Sequence, residues 1–156
     1  MLRRLAILLG VLVGVFLVMQ LVPYGRDHTN PPVVQEPDWD SPETRALAQR
    51  SCFDCHSNET VWPWYASVAP SSWLVSHDVE EGRGHLNFSE WQRPQRHADD
   101  AAEMVAEGEM PPAQYTLMHS NAQLTDVERA ALVQGLRATL GSEDGAGESD
   151  EQGDDD

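Results

Sequence analysis

The chain has 156 residues, with 26 acidic residues against ten basic ones, and a formal net charge of −16. All ten bases are arginine. This balance excludes a nucleic-acid partner, which needs a basic face, and it excludes a lysine-ringed docking face. A protein partner recognised by charge would be basic.

Arg3 and Arg4 open the chain, and Leu5 to Val22 then runs 18 residues without a charge. That length reaches the lower bound for a membrane-spanning helix. The following Val22-Pro23-Tyr24-Gly25-Arg26 offers no small-residue cleavage site of the kind that ends a secretory signal. Residues 1–24 are therefore expected to be an uncleaved signal anchor, with Arg3 and Arg4 on the cytoplasmic side and Tyr24 near the outer interface. Gly10 and Gly14 form a G-x-x-x-G pair, a pattern that can dimerise helices but also arises by accident.

Residues 25–40 read as an extended linker, because Asn30-Pro31-Pro32 and Glu36-Pro37-Asp38 disfavour helix. Such a linker would hold the following domain off the membrane. Ser41-Pro42-Glu43 is a helix start, with a capping serine, proline at the first helical position and an acid at the positive end of the dipole. This helix should run to about Arg50 and deliver the next segment.

That segment is Cys52-Phe53-Asp54-Cys55-His56, a C-x-x-C-H motif and the attachment signal of a c-type haem. Two intervening residues let one turn of chain present both sulfurs to one porphyrin edge, and the adjacent histidine then becomes the proximal iron ligand. These are the chain's only two cysteines. A thioredoxin-like pair would want a βαβ context, and structural zinc would want a second ligand pair. Neither is visible, and a plain disulfide would leave His56 unexplained.

Asn58 to Pro70 is expected to be irregular, since prolines interrupt its aromatic run. A second helix fits Ser71 to about Glu81, ended by Gly82 and Gly84. A third is expected to open at Asn87 or Ser89, break near Pro94, resume through Ala98, Ala101, Ala102 and Val105, and end at Gly108. The last helix is the clearest. Thr125-Asp126-Val127-Glu128 is a capping box, Val133, Leu136 and Leu140 form the apolar stripe, and Gly141 is the stop. With no repeat and no strand pattern, the expected class is all-α. Residues 41–141 would make one small domain, about a hundred residues, sufficient for a modest core. Trp39, Trp62, Trp64, Trp73 and Trp91 all lie in or beside it. Residues 142–156 carry eight acids and no base and read as a disordered tail.

A haem held by His56 has a sixth position to fill. The first candidate is Met110, in Gly108-Glu109-Met110-Pro111-Pro112, because a proline-stiffened loop loses less entropy on binding iron through a thioether. It lies 54 residues beyond His56 (110 − 56). Met118 is the rival methionine, in a loop, while Met104 reads as core. His77, His85, His97 and His119 are the bis-histidine candidates, and His28 is expected to lie too far away in the linker. His/Met ligation raises the reduction potential and closes both axial sites, which suits electron transfer. Arg83, Arg93 and Trp64 are candidate partners of the haem propionates.

The chain resembles a bacterial family of small membrane-anchored haem-binding domains related to cytochrome c. The resemblance is carried by Trp39-Asp40-Ser41-Pro42-Glu43-Thr44, Cys52 to Thr60, Trp62-Pro63-Trp64-Tyr65, Val68-Ala69-Pro70, Leu86-Asn87-Phe88-Ser89-Glu90-Trp91 and Gly108-Glu109-Met110-Pro111-Pro112. It covers most of residues 32–140 and leaves out the acidic tail. It implies a cytochrome c-like helical domain, one covalent haem on Cys52 and Cys55, His56 as proximal iron ligand and Met110 as distal ligand. With the anchor, it implies a single-pass protein of the bacterial inner membrane whose haem domain faces the periplasm and meets a redox partner protein. An electron carrier, rather than an enzyme, is the expected function. The alternatives are a haem peroxidase or gas sensor with a labile sixth ligand and His97 or His119 as acid–base residue, and a haem-bearing interaction module of a respiratory complex.

Overall fold

The computed structural model describes residues 1–141; the expected acidic tail lies outside them. The described chain is all-helical: α1 (Leu2–Met19), α2 (Pro42–Ser51), α3 (Phe53–His56), α4 (Ser71–His85), α5 (Ala101–Glu107), α6 (Ala113–Met118) and α7 (Asp126–Leu140), with 3-10 turns at Trp64–Ser67 and Ser120–Ala122. An isolated parallel bridge between Gln35 and Glu90 is the one strand-like pairing among the described residues.

Helix α1 is long and apolar enough to cross a membrane, and none of its residues is buried. At 1.5 Å per residue it spans about 27 Å, close to a hydrocarbon core. Its end is clipped to the domain by Gln20, whose side-chain amide donates to the Ala69 carbonyl at 2.9 Å and accepts from the Ala69 N–H at 3.0 Å.

Residues 25–40 are extended, as their prolines require, but they are laid along the domain. Gly25 has φ +75, and a Cβ there would strike the Ser72 carbonyl. Asn30 donates to the Thr60 carbonyl at 2.9 Å, Asn58 donates to the Pro32 carbonyl at 3.0 Å, and Glu36 takes Arg45 through two 2.7 Å contacts. His28, expected to be remote, stacks on Trp62 with ring centres 4.6 Å apart.

Helix α2 starts as its sequence dictates: the Ser41 hydroxyl accepts from the Thr44 N–H at 3.1 Å, with Pro42 in the first turn. Helix α7 crosses it. Gly135 lies where a Cβ would overlap the Thr44 side chain, and Leu47, Leu132, Leu136 and Leu140 fill in around the crossing with Phe53, Phe88 and Val105. The capping box of α7 is present, from Thr125 to Glu128 and back. Its buried stripe is Leu132, Gly135, Leu136, Thr139 and Leu140, with Val133 at the edge. Gly141 ends the helix with φ −80, so no left-handed turn is needed.

Three expectations are corrected. Helix α4 continues through Gly82 and Gly84 to His85, because Gly82 is a packing glycine: a Cβ there would sit 2.5 Å from the Cys55 carbonyl oxygen. No helix opens at Asn87 or Ser89. Both side chains are buried in hydrogen bonds, Ser89 N–H donating to the Asn87 Oδ1 at 2.9 Å and Asn58 N–H to the Ser89 hydroxyl at 2.9 Å, the local bonding by which such residues compete with helix. Helix α5 begins only at Ala101 and ends at Gly108, whose φ of +78 is the left-handed turn glycine allows. Lastly, Met118 closes a short helix, α6, where a loop was expected. Pro112 precedes it with an extended backbone, so the pair Pro111-Pro112 ends one loop and launches a new turn.

Candidate functional site

The C-x-x-C-H segment forms one tight helical turn. The Cys52 carbonyl accepts from both the Cys55 and His56 N–H groups, at 3.2 and 2.9 Å. Phe53 points inward and stacks on Phe88 with ring centres 5.6 Å apart, so the residue between the cysteines anchors the turn to the core. Both thiols are free and partly buried. Burial pushes the Cys52 thiol up, and burial with the nearby Asp78 and Asp54 carboxylates pushes Cys55 up to about 12. Thiol–disulfide catalysts use thiols shifted in the opposite direction.

His56 is oriented by carbonyls from the far end of α4. Its Nδ1 lies 3.1 Å from the Gly82 oxygen and 3.0 Å from the Leu86 oxygen. A carbonyl can only accept, so Nδ1 carries the hydrogen and Nε2 keeps its lone pair. Metal-ligating histidines are held in this way. Burial also pushes the imidazole pKa down, against those two hydrogen bonds, which favours the neutral ring that a metal requires. Around this ring the chain is closed by polar contacts. Phe88 N–H donates to the His56 carbonyl at 2.8 Å, and Arg83 Nε donates to the Ser57 carbonyl at 2.8 Å.

A family model described as a haem-binding domain matches residues 14–138. The chain belongs to the haem-binding domain family. No curated protein and no solved structure matches it. The residues of this haem-binding domain fit the group: a neutral imidazole with a free Nε2 stands beside two unpaired thiols on the same turn.

The structure places the other candidates of the haem-binding domain unequally. Met110 is half-buried against the core cluster that Cys52 also borders. Its N–H and that of Glu109 both donate to the Met104 carbonyl, each at 3.0 Å, so the loop is held by α5. Met118 is 62 % exposed. His77 is exposed beside Glu81. His85 and His97 face each other with ring centres 4.7 Å apart, and His97 pairs with Asp100 at 3.1 Å. The propionate candidates are occupied or outlying. Arg83 also donates to Asn30 Oδ1 and Thr60 Oγ1, both at 2.9 Å, Arg93 pairs with Glu90 at 2.9 Å, and Trp64 is 80 % exposed.

A cluster that sequence reasoning missed surrounds Cys55. Asp54 accepts from the Val61 N–H at 2.9 Å and from the Tyr115 hydroxyl at 2.6 Å. Burial and the Asp54 carboxylate push the Tyr115 phenol up, so it remains a donor. Tyr115 stacks on His119 at 4.2 Å. A small cavity of about 50 Å³ is lined by Asp54, Cys55, Val79, Tyr115 and His119, among others. Asp54 gave only one readable signal, its place inside the motif, and Tyr115 gave none.

Proposed function

We propose that this haem-binding domain holds one haem covalently through Cys52 and Cys55, with His56 and Met110 as axial ligands, and that it carries electrons at the outer face of a bacterial inner membrane. The observation that carries this reading is the His56 Nδ1 pinned by the Gly82 and Leu86 carbonyls beside two free thiols. Bound haem supplies one-electron exchange between the ferric and ferrous states of its iron.

The chain's own part is attachment, orientation and shielding. Cys52 and Cys55 would hold the haem as thioethers, each S–H adding across a vinyl group with no leaving group and no oxidant needed. His56 offers Nε2 in a fixed plane, set by its Nδ1 hydrogen bonds. Met110 comes from a loop already braced by the Met104 carbonyl, so little further ordering is needed on ligation. Arg3 and Arg4 at the start of α1 support a cytoplasmic N-terminus by the positive-inside rule. That orientation delivers the domain to the side where c-type haems are attached, and the acidic surface favours a basic redox partner.

The test is the full chain, expressed with haem-attachment machinery, beside a Cys52→Ser/Cys55→Ser variant. Haem that survives acidified-solvent extraction and adds its mass to the wild-type polypeptide, but not to the variant, is the expected result. Haem extracted from both would overturn covalent attachment. Rapid carbon monoxide binding by the native ferrous protein would move the function to a sensor or peroxidase.

A further inference from the structure

We propose that His119 is a second axial ligand of this domain, whose Nε2 takes the sixth iron position when Met110 leaves it. The inference rests on the reading above, that haem is held by Cys52, Cys55 and His56.

His119 repeats the arrangement of His56. Its Nδ1 lies 3.0 Å from the Tyr115 carbonyl oxygen, so Nδ1 carries the hydrogen and Nε2 the lone pair. Among the described residues the partner of Nε2 is the Tyr65 hydroxyl at 3.4 Å, longer than a well-formed hydrogen bond of this kind. An iron–nitrogen bond therefore displaces little. The ring is also held in plane. It stacks on Tyr115 with an interplanar angle of 21°, and the Tyr115 hydroxyl is fixed at 2.6 Å by Asp54, between the two attachment cysteines. His119 shares a cavity wall with Cys55.

The other histidines lack this combination. His28 has its Nε2 3.1 Å from the Ala66 carbonyl, so that nitrogen carries the hydrogen. His97 turns Nδ1 to Asp100 at 3.1 Å, and His77 is exposed beside Glu81. Neither these nor His85 lines the cavity at Cys55. His119 follows Met110 by nine residues (119 − 110), with α6 between them, so one segment carries both ligands.

The experiment uses the haem-loaded full chain as wild type, Met110→Ala, His119→Gln and the double variant, with far-ultraviolet circular dichroism to establish folding. Absorption, electron paramagnetic resonance and redox titration are read on each. The expected result is a sulfur–iron band in the oxidised wild type, and a Met110→Ala protein that stays low-spin with a bis-nitrogen signature and a lower potential. The double variant turns high-spin and binds carbon monoxide. A Met110→Ala protein that is high-spin by itself, or a double variant still low-spin, overturns the proposal. If the wild type lacks the sulfur band and His119→Gln alone turns high-spin, the Met110 assignment fails while His119 ligation stands. If it lacks the band and His119→Gln changes nothing, both fail.

Discussion

The crossing of α2 and α7 and the seat of α3 on α4 are each closed by a glycine, yet opposite forces hold them. At the first, Gly135 meets the Thr44 side chain within a cluster that includes Leu47, Leu132, Leu136 and Leu140. At the second, Gly82 meets the backbone of Cys55, and around it run hydrogen bonds from His56, Arg83, Asn58 and Asn87. Apolar burial is non-directional and sets only how closely two helices approach. Hydrogen bonds to carbonyls are directional and decide which nitrogen of a ring is free. The apolar crossing therefore sets how closely the helices approach, and the hydrogen-bonded seat sets the orientation of the His56 ring.

The largest break in this comparison is Leu136→Ala. Leu136 is 1 % exposed, and its truncation should cost about 2–5 kcal/mol in denaturant unfolding. The haem spectrum of the folded fraction should change less than in the next variant, since Met110 and Cys52 only border that cluster and the carbonyls that orient His56 lie on Gly82 and Leu86. Next is Gly82→Ala, whose added carbon meets backbone that cannot rotate away. A loss of about 1–3 kcal/mol is expected, accompanied here by an altered haem spectrum, because the Gly82 carbonyl orients His56. The matching pair sharpens the contrast: Gly135→Ala should be partly rescued by Thr44→Ala, which removes the opposing hydroxyl and methyl but leaves the Cβ at 2.8 Å, whereas Gly82→Ala has no such partner to shorten. A double-mutant cycle reads the difference.

Smaller effects belong to the helix start. Thr125→Ala removes the hydroxyl half of the capping box, leaving the backbone N–H at 125 to donate to Glu128, and should cost about 1 kcal/mol, with the haem spectrum untouched. The smallest is a pH effect at the same place. The Thr125 N–H, then Arg50 and the Thr125 hydroxyl, hold the Glu128 carboxyl down to about 2 from its ordinary 4.5. A carboxyl lowered in the folded state stabilises it above the unfolded value, and that contribution is lost as pH falls from 4.5 toward 2. Because the site is exposed, salt should weaken the effect. Acid titration of the melting temperature should be flatter in Glu128→Gln, and an equally steep curve in that variant would exclude Glu128 as a source.

Much of the site was readable because its signals are local. C-x-x-C-H spans five residues, the Ser41 and Thr125 caps act within three, and Gly108 needed only its own backbone angle. Apart from the short helix at Met118, what failed did so for one reason: a residue's role was set by something distant in the chain. Gly82 reads as a helix stop by itself, and becomes a packing glycine because Cys55 lies against it. Asn87 and Ser89 read as helix caps, and are instead consumed by Asn58 across a separation of about thirty residues. Residues 25–40 read as a spacer because prolines forbid helix, but composition cannot show that Asn30, Gly25 and Glu36 have partners waiting on the domain.

The sequence by itself determined that the described chain is all-helical, that it begins with a helix able to cross a membrane, and that two thiols and a histidine share one turn. Periodicity, capping and motif spacing are properties of neighbours along the chain. Only the tertiary structure decided that the imidazole of His56 keeps Nε2 free, since its two carbonyl partners lie 26 and 30 residues away. It alone brought Tyr115 and His119 to Asp54 and Cys55, because that contact exists only once α6 has folded back over the turn that carries the cysteines.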